Sequence, residues 1–231
     1  MKTLGLLGGM SWESSAHYYR IINQQVMARL GAPHSATCLL WSMDFAEIET
    51  LQHAGEWSAL SVKLVAAAQK LALAGAEGLV ICTNTMHRMA DEIAAGSGLP
   101  LIHIADATGQ AVREAGLHTV GLLGTAFTME QAFYIGRLRE RFGLQVLVPD
   151  APGRQRVHDI IYQELVSGVV LARSREVYQK EIAALIARGA QGIILGCTEI
   201  MLLIGQQDSP VPVFDTTALH AHAAVDWMLA P

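Results

Sequence analysis

Short runs of consecutive apolar residues alternate along this chain with longer stretches whose apolar positions recur about every 3.6 residues. The short runs predict strands at Thr3–Leu7, Thr37–Met43, Gly78–Cys82, Thr119–Leu123, Val146–Val148, Gly192–Leu195 and Val211–Phe214. The longer stretches predict helices, among them Ala16–Leu30, Leu60–Ala74, Met129–Phe142 and Arg175–Arg188. Glycines 31, 75 and 189 follow three of these stretches, where a residue tolerant of the left-handed region ends a helix. Apolar strands joined by helices bury both faces of a mostly parallel sheet, so the predicted class is α/β and doubly wound.

The strand pattern also repeats. Gly75-Ala76-Glu77-Gly78-Leu79-Val80-Ile81 resembles Gly189-Ala190-Gln191-Gly192-Ile193-Ile194-Leu195 at an offset of 114 residues. Leu4-Gly5-Leu6-Leu7-Gly8 resembles Val120-Gly121-Leu122-Leu123-Gly124 at an offset of 116. Either match alone is ordinary α/β punctuation; two in the same order predict a pair of pseudo-symmetric half-domains with an active site in the cleft between them. The expected division is 1–107 plus 211–231 for the first half and 108–210 for the second, the C-terminal strand and helix returning to the first.

Ligands of open α/β sheets bind beyond the carboxyl ends of the strands. At the matched ends stand Cys82-Thr83-Asn84-Thr85 and Gly196-Cys197-Thr198-Glu199. The offset of 114 aligns Cys82 with Gly196, Thr83 with Cys197 and Asn84 with Thr198, so Thr83 and not Cys82 is the counterpart of Cys197. Two opposed positions of this kind suit the transfer of a proton off one face of a carbon and onto the other. A thiol near a helix N-terminus is expected to ionise more readily than usual. The hydroxyls and amide of Thr83, Asn84, Thr85 and Thr198 would hydrogen-bond a small anion.

Composition narrows the field of functions. Of 231 residues 52% are hydrophobic and 16% charged, the profile of a packed globular chain. A net charge of -5, with no basic run longer than the neighbourhood of Gly153–Arg156, argues against nucleic acid as a partner. Lys63, Gln69, Lys70 and Glu77 interrupt the most apolar region, Leu60–Ile81, and argue against a membrane span; the N-terminus lacks the long apolar core of a signal peptide. Three widely spaced cysteines, Cys38, Cys82 and Cys197, do not suggest a disulfide framework, and a cytoplasmic location is expected.

Three segments, Gly8-Gly9-Met10-Ser11-Trp12-Glu13, Thr83-Asn84-Thr85-Met86-His87 and Gly196-Cys197-Thr198-Glu199, resemble signatures of the aspartate/glutamate racemase family in order and spacing, over nearly the whole chain. The resemblance implies racemisation of a small polar amino acid without pyridoxal phosphate or metal, by two half-domains in a homodimer, with a pair of cysteines flanking the substrate α-carbon. Two departures follow. The first signature usually resembles Cys-Asn-Thr-x-His, and Thr83 stands at the cysteine position, in agreement with the internal repeat. A threonine hydroxyl is a far poorer base than a thiolate, so turnover is expected to be asymmetric between enantiomers. Cys82 lies one residue upstream, where the side chain of an extended strand points the other way, and is read as a core thiol. In Ile161–Gly168 Val166 stands where aspartate-specific relatives resemble a lysine that grips the distal carboxylate, which leaves the preferred amino acid open.

Other residues carry two readings each. Catalysis is assigned to Thr83 and Cys197, and substrate contact to Met10, Ser11, Gln52, Thr83, Asn84, Thr85, Thr125, Thr198 and Glu199. Against this, Gln52 and Asp44 fit a solvated helix, Thr125 and Thr128 an N-cap, Glu199 either a substrate ammonium or a helix cap, and His87 either orientation of the substrate or packing. Trp12 either covers the cleft or staples the following helix, and Cys38 fits the core. His220 and His222, two apart in a predicted helix, face different ways, so no metal site is expected. The competing functions are a decarboxylase or cis–trans isomerase of small dicarboxylic acids on the same scaffold, and a non-enzymatic ligand-binding regulator. The order Gly5-x-x-Gly8-Gly9 is a poor dinucleotide fingerprint.

Overall fold

A computed structural model describes residues 1–231, which divide into two compact units, Met1–His103 with His220–Pro231 and Ile104–Leu219. In the first unit the order is β1 (Leu4–Gly8), α1 (Trp12–Leu30), β2 (Cys38–Ser42), α2 (Phe45–His53), α3 (Trp57–Leu73), β3 (Gly78–Ile81), α4 (Ala90–Ser97) and β4 (Leu101–Ile102). The second unit continues with α5 (Ile104–Glu114), β5 (Thr119–Gly124), α6 (Ala126–Glu130), α7 (Ala132–Phe142), β6 (Gln145–Leu147), α8 (Ala151–Gln163), α9 (Ala172–Ala187), β7 (Ile193–Gly196) and β8 (Val213–Asp215). The last helix, α10 (Thr216–Leu229), begins in the second unit and ends in the first.

Each unit holds one four-stranded parallel sheet, ordered β2-β1-β3-β4 in the first and β6-β5-β7-β8 in the second. The fold is therefore α/β, with the same strand order built twice. Strand alternation sorts the first core into two layers. Leu4, Leu6, Val80 and Cys82 pack with Tyr18, Ile22 and Val26 of α1 and with Ala221, Ala224, Val225 and Met228 of α10. Leu7, Leu79 and Ile81 face the other way, against Leu60, Leu64 and Leu71 of α3. The repeat extends to packing detail. A Cβ at Gly78 would lie 2.3 Å from the Trp227 ring and one at Gly192 would lie 2.8 Å from Phe214, so a glycine lies under an aromatic ring at the start of β3 and just before β7.

Three expectations are corrected. The strand near Val211–Phe214 does not return to the first half: β8 pairs with β7, Ile193 opposite Val213, as β4 pairs with β3, Leu79 opposite Leu101. Both fill the fourth place of their sheets, and the two-residue β4 is too short to stand out as a strand in the sequence. Only the α10 residues from His220 onward join the first unit. The helix expected over Met129–Phe142 is two helices, α6 and α7, separated by an extended Gln131. Its first part starts early because the Thr125 hydroxyl caps it.

His220 is fully buried in α10, where its Nδ1 lies 2.8 Å from the Tyr18 hydroxyl and its Nε2 lies 2.7 Å from the Ile102 carbonyl. A carbonyl only accepts, so Nε2 carries the proton and Nδ1 accepts from Tyr18. This network ties α1, β4 and α10 together. Burial lowers the imidazole from 6.5 to about 4, opposed by its bond to Ile102. The folded chain therefore resists a proton that the unfolded chain accepts, and stability present above pH 6.5 is lost as pH falls toward 4. We predict a loss of about 3 kcal/mol across that interval, read from urea unfolding midpoints. His220→Gln should remove most of this slope; an unaltered slope would contradict the assignment.

Candidate active site

Strand order β2-β1-β3-β4 places a switch point between β1 and β3, where the connections leave toward opposite faces and the carboxyl edge opens. In the first unit this edge carries Gly9-Met10-Ser11 after β1 and Cys82-Thr83-Asn84-Thr85 after β3. Gly9 has φ +87°, and a Cβ there would lie 2.2 Å from the Met43 backbone, so only glycine fits. Its N–H donates to Ser15 Oγ at 2.8 Å. Ser11 caps α1, accepting from the Ser14 N–H, and Ser14 Oγ donates to the Cys82 carbonyl at 3.2 Å. The two strand ends are thereby joined.

Thr83 is half-buried, whereas Asn84 and Thr85 are buried. Cys82 has no exposed surface and lies in the core layer with α1 and α10, and burial pushes its thiol far up. Cys82 is thus a core thiol, as its sequence position led one to expect. His87, in a 3-10 turn over Thr85–Met89, donates from Nδ1 to the Thr83 carbonyl at 2.8 Å, which fixes the backbone of that residue. Its ring lies 4.6 Å from that of His103 and 5.4 Å from that of His220. His103 was missed in the sequence because the strand before it has two residues only.

The second unit repeats the arrangement at the ends of β5 and β7. Thr125 caps α6, its Oγ1 lying 3.3 Å from Thr128 Oγ1, and the Ala126 N–H donates to His158 Nδ1 at 3.2 Å. The His158 ring packs tilted against that of Tyr162 with centroids 4.8 Å apart, and no sequence signal marked it. After β7, Cys197 is partly buried, while Thr198 and Glu199 are each 3% exposed. Cys197 Sγ donates to Glu199 Oε2 at 3.0 Å, and Thr198 Oγ1 donates to the same oxygen at 2.9 Å.

This geometry reverses one expectation. Cys197 was expected to ionise readily; instead burial, and then the charge and hydrogen bond of Glu199, push its thiol well up. The backbone N–H groups of Glu199 and Thr198 oppose this and are outweighed.

The remaining candidates separate. Gln52 is buried at 2% exposure and is no solvated helical residue. Asp44 is exposed and caps α2 by accepting from the Ala46 N–H. Met10 packs into the α3 core layer, so only its backbone can serve a ligand. Trp12 is exposed. Cys38 is partly buried against the α1 and α10 layer. Val166 is half-buried against the core of the second unit. All three cysteines are free, no three or more His, Cys, Asp or Glu side chains are grouped to hold a metal ion, and no helix is long and apolar enough to cross a membrane.

The profile of the Asp/Glu/Hydantoin racemase family matches residues 7–224. A Yersinia pestis protein provisionally described as an Asp/Glu racemase has the same fold, with 55% identity, a TM-score of 0.93 and complete coverage of both chains. PH1733 of Pyrococcus horikoshii OT3, an aspartate racemase homologue, is 31% identical with a TM-score of 0.86, again covering 100% of each chain. The broad specificity amino-acid racemase RacX of Bacillus subtilis is 24% identical over 174 residues, covering 72% of this chain and 71% of its own. The chain belongs to the Asp/Glu/hydantoin racemase family.

Proposed function

We propose that this chain is a cofactor-independent racemase of aspartate, glutamate or a related small polar amino acid, with Cys197 and Thr83 as its two acid–base positions. The observation that carries the reading is the equivalence of these residues. Each follows the third strand of a sheet with the same order, at the switch point, and the strands before them align residue by residue. Family membership and racemase relatives support the reaction type.

Racemisation inverts a tetrahedral centre, so the proton must leave one face and a proton must arrive on the other. In this reading Cys197 serves one face as thiolate or thiol. Thr83 serves the other, directly or through a water at its half-exposed hydroxyl. The hydroxyl proton is held far more tightly than a thiol proton, so the Thr83 face donates or relays and removes protons poorly. Turnover is then faster from one enantiomer. Asn84, Thr85 and Thr198, with the Ser11 and Thr125 hydroxyls and the amides that follow each strand, are the groups for the substrate carboxylates. Gln52 is assigned to substrate contact, and Val166 leaves the distal group without a lysine at that place, which favours tolerance among small polar side chains.

Chiral chromatography of reactions started from each enantiomer tests this. Cys197→Ser should lower turnover in both directions by at least about 100-fold, the usual worth of a positioned acid or base. Thr83→Cys should raise turnover from the disfavoured enantiomer and narrow the asymmetry. Full activity in Cys197→Ser would end the assignment. Cys82→Ala should racemise like the parent protein; loss of turnover in a folded Cys82→Ala would transfer the role from Thr83 to Cys82.

A further inference from the structure

Glu199 stands out because its buried carboxylate is engaged by the thiol of Cys197 itself. It precedes a short 3-10 turn, Ile200–Leu202, yet makes no capping hydrogen bond to it. Its buried Oε2 accepts instead from Cys197 Sγ and from Thr198 Oγ1. The internal repeat adds a second observation. The offset that aligns Thr83 with Cys197 aligns Thr85 with Glu199. The half with the thiol has a carboxylate two residues on, and the half with the hydroxyl has another hydroxyl.

We infer that Glu199 is a substrate-responsive latch on Cys197: with the site empty its carboxylate holds the thiol hydrogen bond and keeps the sulfur protonated, and an amino-acid ammonium group that engages the carboxylate frees the thiol to ionise. The substrate class rests on the function proposed above; the control of the thiol does not. The charges balance. The empty pair, thiol and carboxylate, carries one negative charge. Ammonium binding brings it to zero, and loss of the thiol proton to solvent restores one negative charge. The thiolate thus forms only where a positive charge has arrived, and the two following backbone N–H groups, already directed at the sulfur, then hold it.

Tyr178 is the further titratable group coupled to the pair, and Glu164 is coupled in turn to Tyr178. Tyr178 of α9 is fully buried, donates to the Val157 carbonyl at 3.3 Å, and is pushed up by burial and then by Cys197, Glu164 and Glu199. Glu164, after α8, accepts from Ser174 Oγ and lies 3.7 Å from Arg173. A negative charge on Tyr178 and a thiolate at Cys197 oppose one another.

The test follows the far-ultraviolet thiolate absorbance of Cys197, taken as the difference from Cys197→Ser, against pH without ligand. Glu199→Gln should move the midpoint down by about one unit or more, because the like charge is gone. Glu199→Asp keeps the charge one methylene back from the sulfur and should fall between. At a pH just below the parent midpoint, α-methylaspartate, which has an ammonium group and no α-hydrogen, should raise the signal and release a proton. Succinate, with the same carboxylates and no ammonium, should do neither. An unmoved midpoint in both variants, or equal responses to the two ligands, overturns the latch. None of these readouts needs turnover, so their failure leaves racemisation standing, and a protein that passes them without racemising overturns only the proposed reaction.

Discussion

A parallel sheet in which neighbouring strands send their connections to opposite faces leaves its carboxyl edge uncovered at that point. The rest of this protein follows from building that edge twice. Each unit uses the order 2-1-3-4, so β1 and β3 in one, and β5 and β7 in the other, end side by side with short polar residues and free-running backbone beyond them. The strands themselves are buried on both faces, and the helices that bury them fix where the chain must turn. Gly9 is held at a turn that excludes any Cβ, and the Ser14 bond to the Cys82 carbonyl joins the two strand ends of the first unit.

Within that shared frame the two edges differ chemically. One presents a hydroxyl at Thr83, its backbone fixed by His87, whose ring lies 5.4 Å from that of the buried His220. The other presents a thiol at Cys197 beside a buried carboxylate. A duplicated fold gives two equivalent places, and substitution then makes them unequal. In the proposed reaction that inequality makes turnover differ between the two enantiomers.

The sequence made the class, the repeat and the alignment of Thr83 with Cys197 legible because apolar runs and glycine punctuation survive as local patterns. The core position of Cys82 was legible too, since strand alternation is a matter of counting. What was illegible depends on contacts distant in sequence. The two-residue β4 is too short to stand out, and the place of β8 in the second sheet is identified only by its pairing with β7. The break at Gln131 has no glycine or proline to announce it. His103 and His158 reach their sites through neighbours far away in the chain. The ionisation of Cys197 was misjudged because the nearby N–H groups could be inferred from sequence, whereas burial and the direction of the Glu199 side chain could not.

The central claim is that protons leave and arrive at one carbon through two different groups. It is tested most directly by starting from a single enantiomer in deuterated water and locating the label before equilibrium. Two groups of unlike chemistry predict deuterium at the α-carbon of the product enantiomer while the recovered starting enantiomer stays unlabelled. Equal labelling of both enantiomers from the outset, or no label at any α-carbon, would contradict it.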